Sequence, residues 1–149
     1  MSEHRVDVAW ERNGGPFEYE SFDRTHRWSF PGGPQLDASS APEYHGSADM
    51  PNPEQALAVA LSSCHMLTFL ALAARKRLVV ESYRDEATAH LGKDTEGRLA
   101  VTRVVLRPRV EFAGEPQPRE ALARLHEQAH KHCFIASSVR SEVAVEPRY

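Results

Sequence analysis

Between Ala56 and Ala74 the chain reads ALAVALSSCHMLTFLALAA, 19 residues without an Asp, Glu, Lys or Arg. Such a run restricts the fold to two solutions. A bilayer span takes about 20 predominantly apolar residues, whereas a water-soluble fold must bury a helix this apolar on nearly all sides. The run is largely alanine, and Ser62, Ser63, His65 and Thr68 lie near its middle, so a buried helix is expected and no membrane span. Asn52-Pro53-Glu54 marks the start: Asn caps free N–H groups, Pro is tolerated at the first helical position, and an early Glu suits the dipole. Arg75-Lys76-Arg77 suit the other end, which gives a central helix over about 53–77. A small single domain seldom encloses so wide an apolar girth. The helix is therefore expected to pack against its counterpart in a homodimer.

The 149 residues are expected to form one domain, 1–149. Strands are expected over about 1–47. RVDVAW places Val6, Val8 and Trp10 on one half-buried face. FEYESFDRTHRWSF reads as a second strand between Gly14-Gly15 and Gly32-Gly33, and LDASSAPEYHG as a loop. Strands and a helix follow over about 78–149. LVVESYRDEATAHLG and RLAVTRVVLRPRVEFAG flank a turn near Asp94 to Gly97. In the latter Ala100, Thr102, Val104, Leu106, Pro108, Val110 and Phe112 share one parity, opposite Arg103, Arg107, Arg109 and Glu111. Pro108 there points to an edge or bulge. Pro116 and Pro118 open a helix whose apolar side carries Leu122, Leu125 and Ala129, and VRSEVAVEP closes the chain as a strand. Strands, long helix, strands, helix, strand is an α+β order.

A formal charge of −3, with acids and bases interspersed, offers no basic face for nucleic acid. MSEHRVDVAW lacks a basic region followed by an apolar run, so no signal peptide is read and a cytoplasmic location is expected. In a reducing compartment the two cysteines, Cys64 and Cys133, are inert, metal-bound or catalytic.

His126-Glu127-Gln128-Ala129-His130 spells H-E-x-x-H, which places two imidazoles about 40° apart on a helix, able to grip one zinc. A catalytic zinc needs a third protein ligand, and the extended motif would place it at position 136, which is Ala136. His132 and Cys133 keep a metal-binding protein or zinc hydrolase as the alternative to thiol chemistry.

Cys64 lies about eleven residues into its helix, where burial raises a thiol's pKa and the helix N-terminus is too far to help. A buried, unreactive cysteine is the common outcome. Reactivity here would need a cation, preferably an arginine, which keeps its charge when desolvated, held in turn by a carboxylate. Arg24 and Arg27 in FDRTHRW are the candidates. Glu54, ten residues before Cys64 and about 15 Å along the axis, is the candidate anchor.

Asn52-Pro53-Glu54-Gln55, the spacing from Glu54 to a helical Cys64, a second Cys133 beside FIASS, and SSAPEYHG before the helix together resemble the OsmC/Ohr family, osmotically inducible and organic hydroperoxide resistance proteins. The resemblance covers almost the whole chain. It implies antiparallel sheets wrapped around long central helices in an intertwined homodimer, with active sites at the subunit interface. It also implies thiol-dependent reduction of organic hydroperoxides, with Cys64 peroxidatic and Cys133 resolving; a non-catalytic dimer that keeps this fold is a further alternative. Arg24, or else Arg27, would be the active-site arginine and Glu54 the glutamate that orients it. No bound cofactor is implied, only an external dithiol or lipoylated reductant. The apolar residues Met66, Leu67, Phe69 and Phe134 would favour organic peroxides. Two departures mark a histidine-rich branch: His65 follows Cys64 where an aromatic residue is familiar, and Phe134 follows Cys133 where proline often stands.

Overall fold

Asn52 and Gln55 close on each other: the Gln55 N–H donates to Asn52 Oδ1 at 2.9 Å and the Asn52 N–H to Gln55 Oε1 at 3.0 Å. This reciprocal capping satisfies two donors that a helix start leaves free. It opens the longest helix of the computed structural model, which describes all 149 residues. That helix, α1 (Pro53–Arg75), stops two residues short of the expected end. Arg77 takes a left-handed φ of 59°, and the N–H groups of Arg77 and Leu78 return to Ala74 and Ala73 carbonyls, so the last cations form the helix exit. Ala58, Leu61, His65, Phe69 and Ala73 make its buried stripe, while Val59 and Leu67 are 66% and 60% exposed. Within one chain the helix is thus buried along one face, not on nearly all sides.

The chain gathers into two compact units, Met1–Ala56 and Leu57–Tyr149. The first holds an antiparallel meander of β1 (Asp7–Ala9), β2 (His26–Ser29) and β3 (Gln35–Ala38). β2 is shorter than the sequence pattern suggests. Residues 17–25 instead form an aromatic knot in which Trp10 meets Phe17 and Phe22 at centroid distances of 5.6 and 6.2 Å, and the Trp10 indole donates to Asp23 O at 2.6 Å. Val6 and Val8, expected on a half-buried face, are 64% and 63% exposed. The expected loop LDASSAPEYHG begins as β3 and continues into a 3-10 turn, Pro42–Tyr44. Buried Ser39 accepts the Ser47 N–H at 3.0 Å. Gly46 comes so close to this turn that a Cβ would lie 1.7 Å from Ser40 O; only glycine fits there.

The second unit holds two ladders. β4 (Val80–Asp85) pairs antiparallel with β7 (Pro108–Phe112); β5 (Thr88–Lys93), β6 (Leu99–Leu106) and β8 (Glu142–Val145) form a sheet in the order β5-β6-β8, with β6 and β8 parallel. One long one-sided strand was the expectation for residues 98–114. It breaks at Arg107, whose N–H leaves the ladder for Asp85 Oδ1 at 2.6 Å, just before Pro108, which has no N–H to offer. At the end of β6, Val104, Val105 and Leu106 are all buried, so the alternation disappears where both faces are covered.

α2 (Arg119–His132) lays Leu122, Leu125 and Ala129 against Phe69 and Ala73 of α1, with Val80, Val110 and Phe112 packed around them. A second cluster joins Ala58 and Leu61 to Val104 and Leu106, with Ile135, Val139 and Val143 against it. Cys64 therefore sits on α1 between two well-packed anchor points. Ser62 adds a polar one, donating to Asp85 Oδ2 at 2.5 Å. The architecture is α+β with two helices and mixed sheets.

Candidate functional site

Cys133 terminates α2 in an extended conformation, its N–H donated to His130 O at 3.3 Å. The residues after it turn back at once. The Ser137 N–H and hydroxyl both reach Cys133 O at 3.1 Å, and the Ser138 hydroxyl reaches Phe134 O at 2.8 Å. This folding leaves successive amides free to face sulfur. The Ala136 N–H donates to Cys133 Sγ at 3.4 Å, and the Ile135 and Phe134 amides serve Cys64. The turn that follows Cys133 thus brings backbone donors close to both thiols.

Both cysteines are free thiols, Cys64 half-buried and Cys133 buried. Burial pushes the Cys64 thiol up, but the amides of Ile135 and Phe134, the Cys133 thiol and the Thr68 hydroxyl carry it below its ordinary value. Burial also pushes Cys133 up, and although the Ala136 amide opposes this, the neighbouring Cys64 leaves it raised. One sulfur is biased towards thiolate and its neighbour towards thiol, which makes Cys64 the better nucleophile of the two. The amides of residues 134–136 and Thr68, whose hydroxyl also bonds Cys64 O at 2.8 Å, escaped the sequence reading. Ser137 and Ser138, spaced to bond backward, were the available signal.

The H-E-x-x-H stretch divides. His126 points inward, 2% exposed, and its Nδ1 meets His65 Nε2 at 3.0 Å. Glu127 is exposed, and no group of three or more His, Cys, Asp or Glu side chains converges as a metal site. His65 and His126 are both pushed down to about 4, first by burial and then by the charge of His130 and of His65 respectively. His132 is exposed and does not enter the thiol's hydrogen bonding.

Arg24 precedes β2 rather than lying in a strand. Its guanidinium donates to Phe22 O at 2.6 Å and to Tyr19 O, and lies 3.5 Å from the centroid of the Phe22 ring. Arg27 is committed to Asp37, its cross-strand partner, at 3.0 Å. Glu54 keeps a buried Oε2 without a hydrogen-bond partner, and no ion pair joins it to Arg24. Of the letters N-P-E-Q, Asn52, Pro53 and Gln55 build the helix start, and Glu54 alone is left over.

The family profile described as OsmC-like protein matches residues 46–148. Among solved structures, an OsmC-like protein of unknown function from Vibrio cholerae is 44% identical, with 99% of this chain and 100% of that one covered and a TM-score of 0.93. An OsmC-like protein from Mycoplasma pneumoniae is 12% identical over 99% of this chain and 96% of that one, TM-score 0.76. An organic hydroperoxide resistance protein from Legionella pneumophila is 18% identical over 99% and 96%, TM-score 0.67. These last two likenesses concern the fold alone. No curated protein matches the chain.

Proposed function

We propose, because the chain belongs to the OsmC-like protein family, that it is a thiol-dependent peroxidase acting on organic hydroperoxides. The observation that carries this reading is the pair of free cysteines beside one turn of backbone amides, with Cys64 lowered and Cys133 raised. Similar folds whose names refer to organic hydroperoxide resistance, from Legionella pneumophila and Elizabethkingia anophelis, support the substrate class.

The Cys64 thiolate attacks one peroxide oxygen and the O–O bond breaks. The alkoxide leaves and takes a proton to become the alcohol, while Cys64 becomes a sulfenic acid. The Cys133 sulfur then attacks the Cys64 sulfur, water leaves, and the disulfide forms. A dithiol, of which a lipoylated carrier is one kind, reduces it and is itself oxidised to a disulfide. Arg24 is assigned to polarise the peroxide and Glu54 to orient that arginine, in preference to Arg27, which Asp37 already holds. A homodimer is part of the reading. Its support is the exposed Val59 and Leu67 of α1 and Val6 and Val8 around β1, apolar surface that a second copy would cover. The protein works without a bound cofactor in this scheme.

The decisive experiment mixes reduced protein with one equivalent of cumene hydroperoxide and counts thiols. Loss of both, as an intramolecular disulfide absent in Cys64→Ser, is the expected result. Retention of both thiols over minutes overturns the proposal.

A further inference from the structure

The structure assigns a positioning role to two buried histidines: we propose that the His65–His126 hydrogen bond sets the spacing of α1 and α2 at which Cys64 and Cys133 can join. This rests on the thiol chemistry proposed above, and it concerns residues which neither touch peroxide nor carry its oxygen.

His65 and His126 are 1% and 2% exposed. Their ring planes are 7° from parallel and their centroids 5.3 Å apart, yet the facing nitrogens are separated by only 3.0 Å. Centroids so much farther apart than the nitrogens mean that the rings meet edge to edge, through N–H···N, rather than face to face. The other ring nitrogens, His65 Nδ1 and His126 Nε2, have no hydrogen-bond partner. Each imidazole therefore has the other as its one polar contact, with Phe69 stacked 4.4 Å from His126. Tyr83, 6.5 Å from His126, and His130, whose charge acts on His65, complete the titratable surroundings.

Apolar side chains tolerate sliding, whereas an N–H···O or N–H···N bond weakens steeply with misalignment. A buried bond of this kind therefore fixes helix register, a use for which buried polar groups are well attested. The location gives that register a purpose. His65 directly follows Cys64, and His126 stands seven residues before Cys133, about 10 Å along the α2 axis. A disulfide needs Cβ atoms about 3.5–4.5 Å apart, so a shift of an ångström between the helices would impede it. The same shift would move the amides of Phe134 and Ile135 away from Cys64.

The test is thiol–disulfide exchange of the full chain in glutathione redox buffers, which needs no peroxide. His126→Phe keeps a ring against Phe69 and removes the nitrogen. It should lower the equilibrium constant for the Cys64–Cys133 disulfide by about tenfold, as loss of one buried hydrogen bond allows. Its alkylation profile should also show a raised Cys64 pKa. His126→Asn and His65→Gln, whose amides reach the Nδ1 and Nε2 positions, should stay within about twofold of the native constant. An unchanged constant in folded His126→Phe overturns the assignment. So does a tenfold fall in His65→Gln, which remains the deciding variant if His126→Phe does not fold. Native exchange behaviour without peroxide consumption would sink the peroxidase reading and leave this one standing.

Discussion

Met1–Ala56 and Leu57–Tyr149 differ in what they bury. The first unit hides little beyond Ala38, Ser39 and Ala41, and leaves Val6, Val8, Phe17 and Leu36 more than 45% exposed. The second closes Leu61, Phe69, Ala73, Val104, Leu106, Leu125 and Ala129 to solvent almost completely. Hydrophobic burial is the main favourable contribution to folding, so most of that contribution lies in the second unit, while the first leaves a sheet and an aromatic knot largely exposed. Both cysteines, and the amides that tune them, belong to the second unit. Arg24 and Glu54 belong to the other.

The sharpest way to break this contrast is Phe69→Ala. Removing a fully buried ring from the second unit should cost about 3–5 kcal/mol, read as a shifted urea midpoint. A loss under 1 kcal/mol would mean that this cluster is not what holds the unit together. Acid comes next. His65 and His126 take up protons only near pH 4 in the folded chain, against 6.5 as ordinary histidines. Between those values the unfolded chain binds more protons, so stability is full above pH 6.5 and falls as pH drops towards 4. Urea titrations at pH 7 and pH 5 should differ by roughly 2–4 kcal/mol, and His65→Gln should remove about half of the difference. Equal slopes for variant and native protein would place the acid sensitivity elsewhere. The smallest effect belongs to the first unit. Phe17→Ala, at a ring 67% exposed, should change the stability of dilute protein by about 0.5 kcal/mol or less. A larger loss that grows with protein concentration would show a second copy resting on that knot.

The sequence conveyed the order of elements because periodicity and punctuation are local. Pro53, Gly14-Gly15 and the alternation of β6 needed no tertiary knowledge. It did not convey where β6 ends, because the break is made by Asp85, 22 positions earlier, taking the Arg107 N–H. The cysteines were legible as a pair through spacing and context. Their activation was not, since a cation leaves a letter in the sequence whereas the first lowering donor is a main-chain N–H group, which nearly every residue carries. Likewise H-E-x-x-H could be spelled but not oriented. That His126 faces His65 depends on how α2 rolls against Phe69, which no five-letter pattern specifies.

The parallel pairing of β8 with β6 also bears on how the chain comes off the ribosome. Glu142–Val145 lies beside Arg103–Leu106, so that sheet cannot be completed until Val145 has emerged. Cys64 is made 69 positions before Cys133 (133 − 64), and the turn that partners it sits just before β8. Over those 69 positions the growing chain therefore carries one thiol without its mate. Premature termination after Cys133 but before Glu142 would release a protein holding both cysteines but lacking the strand that closes the sheet next to their shared turn.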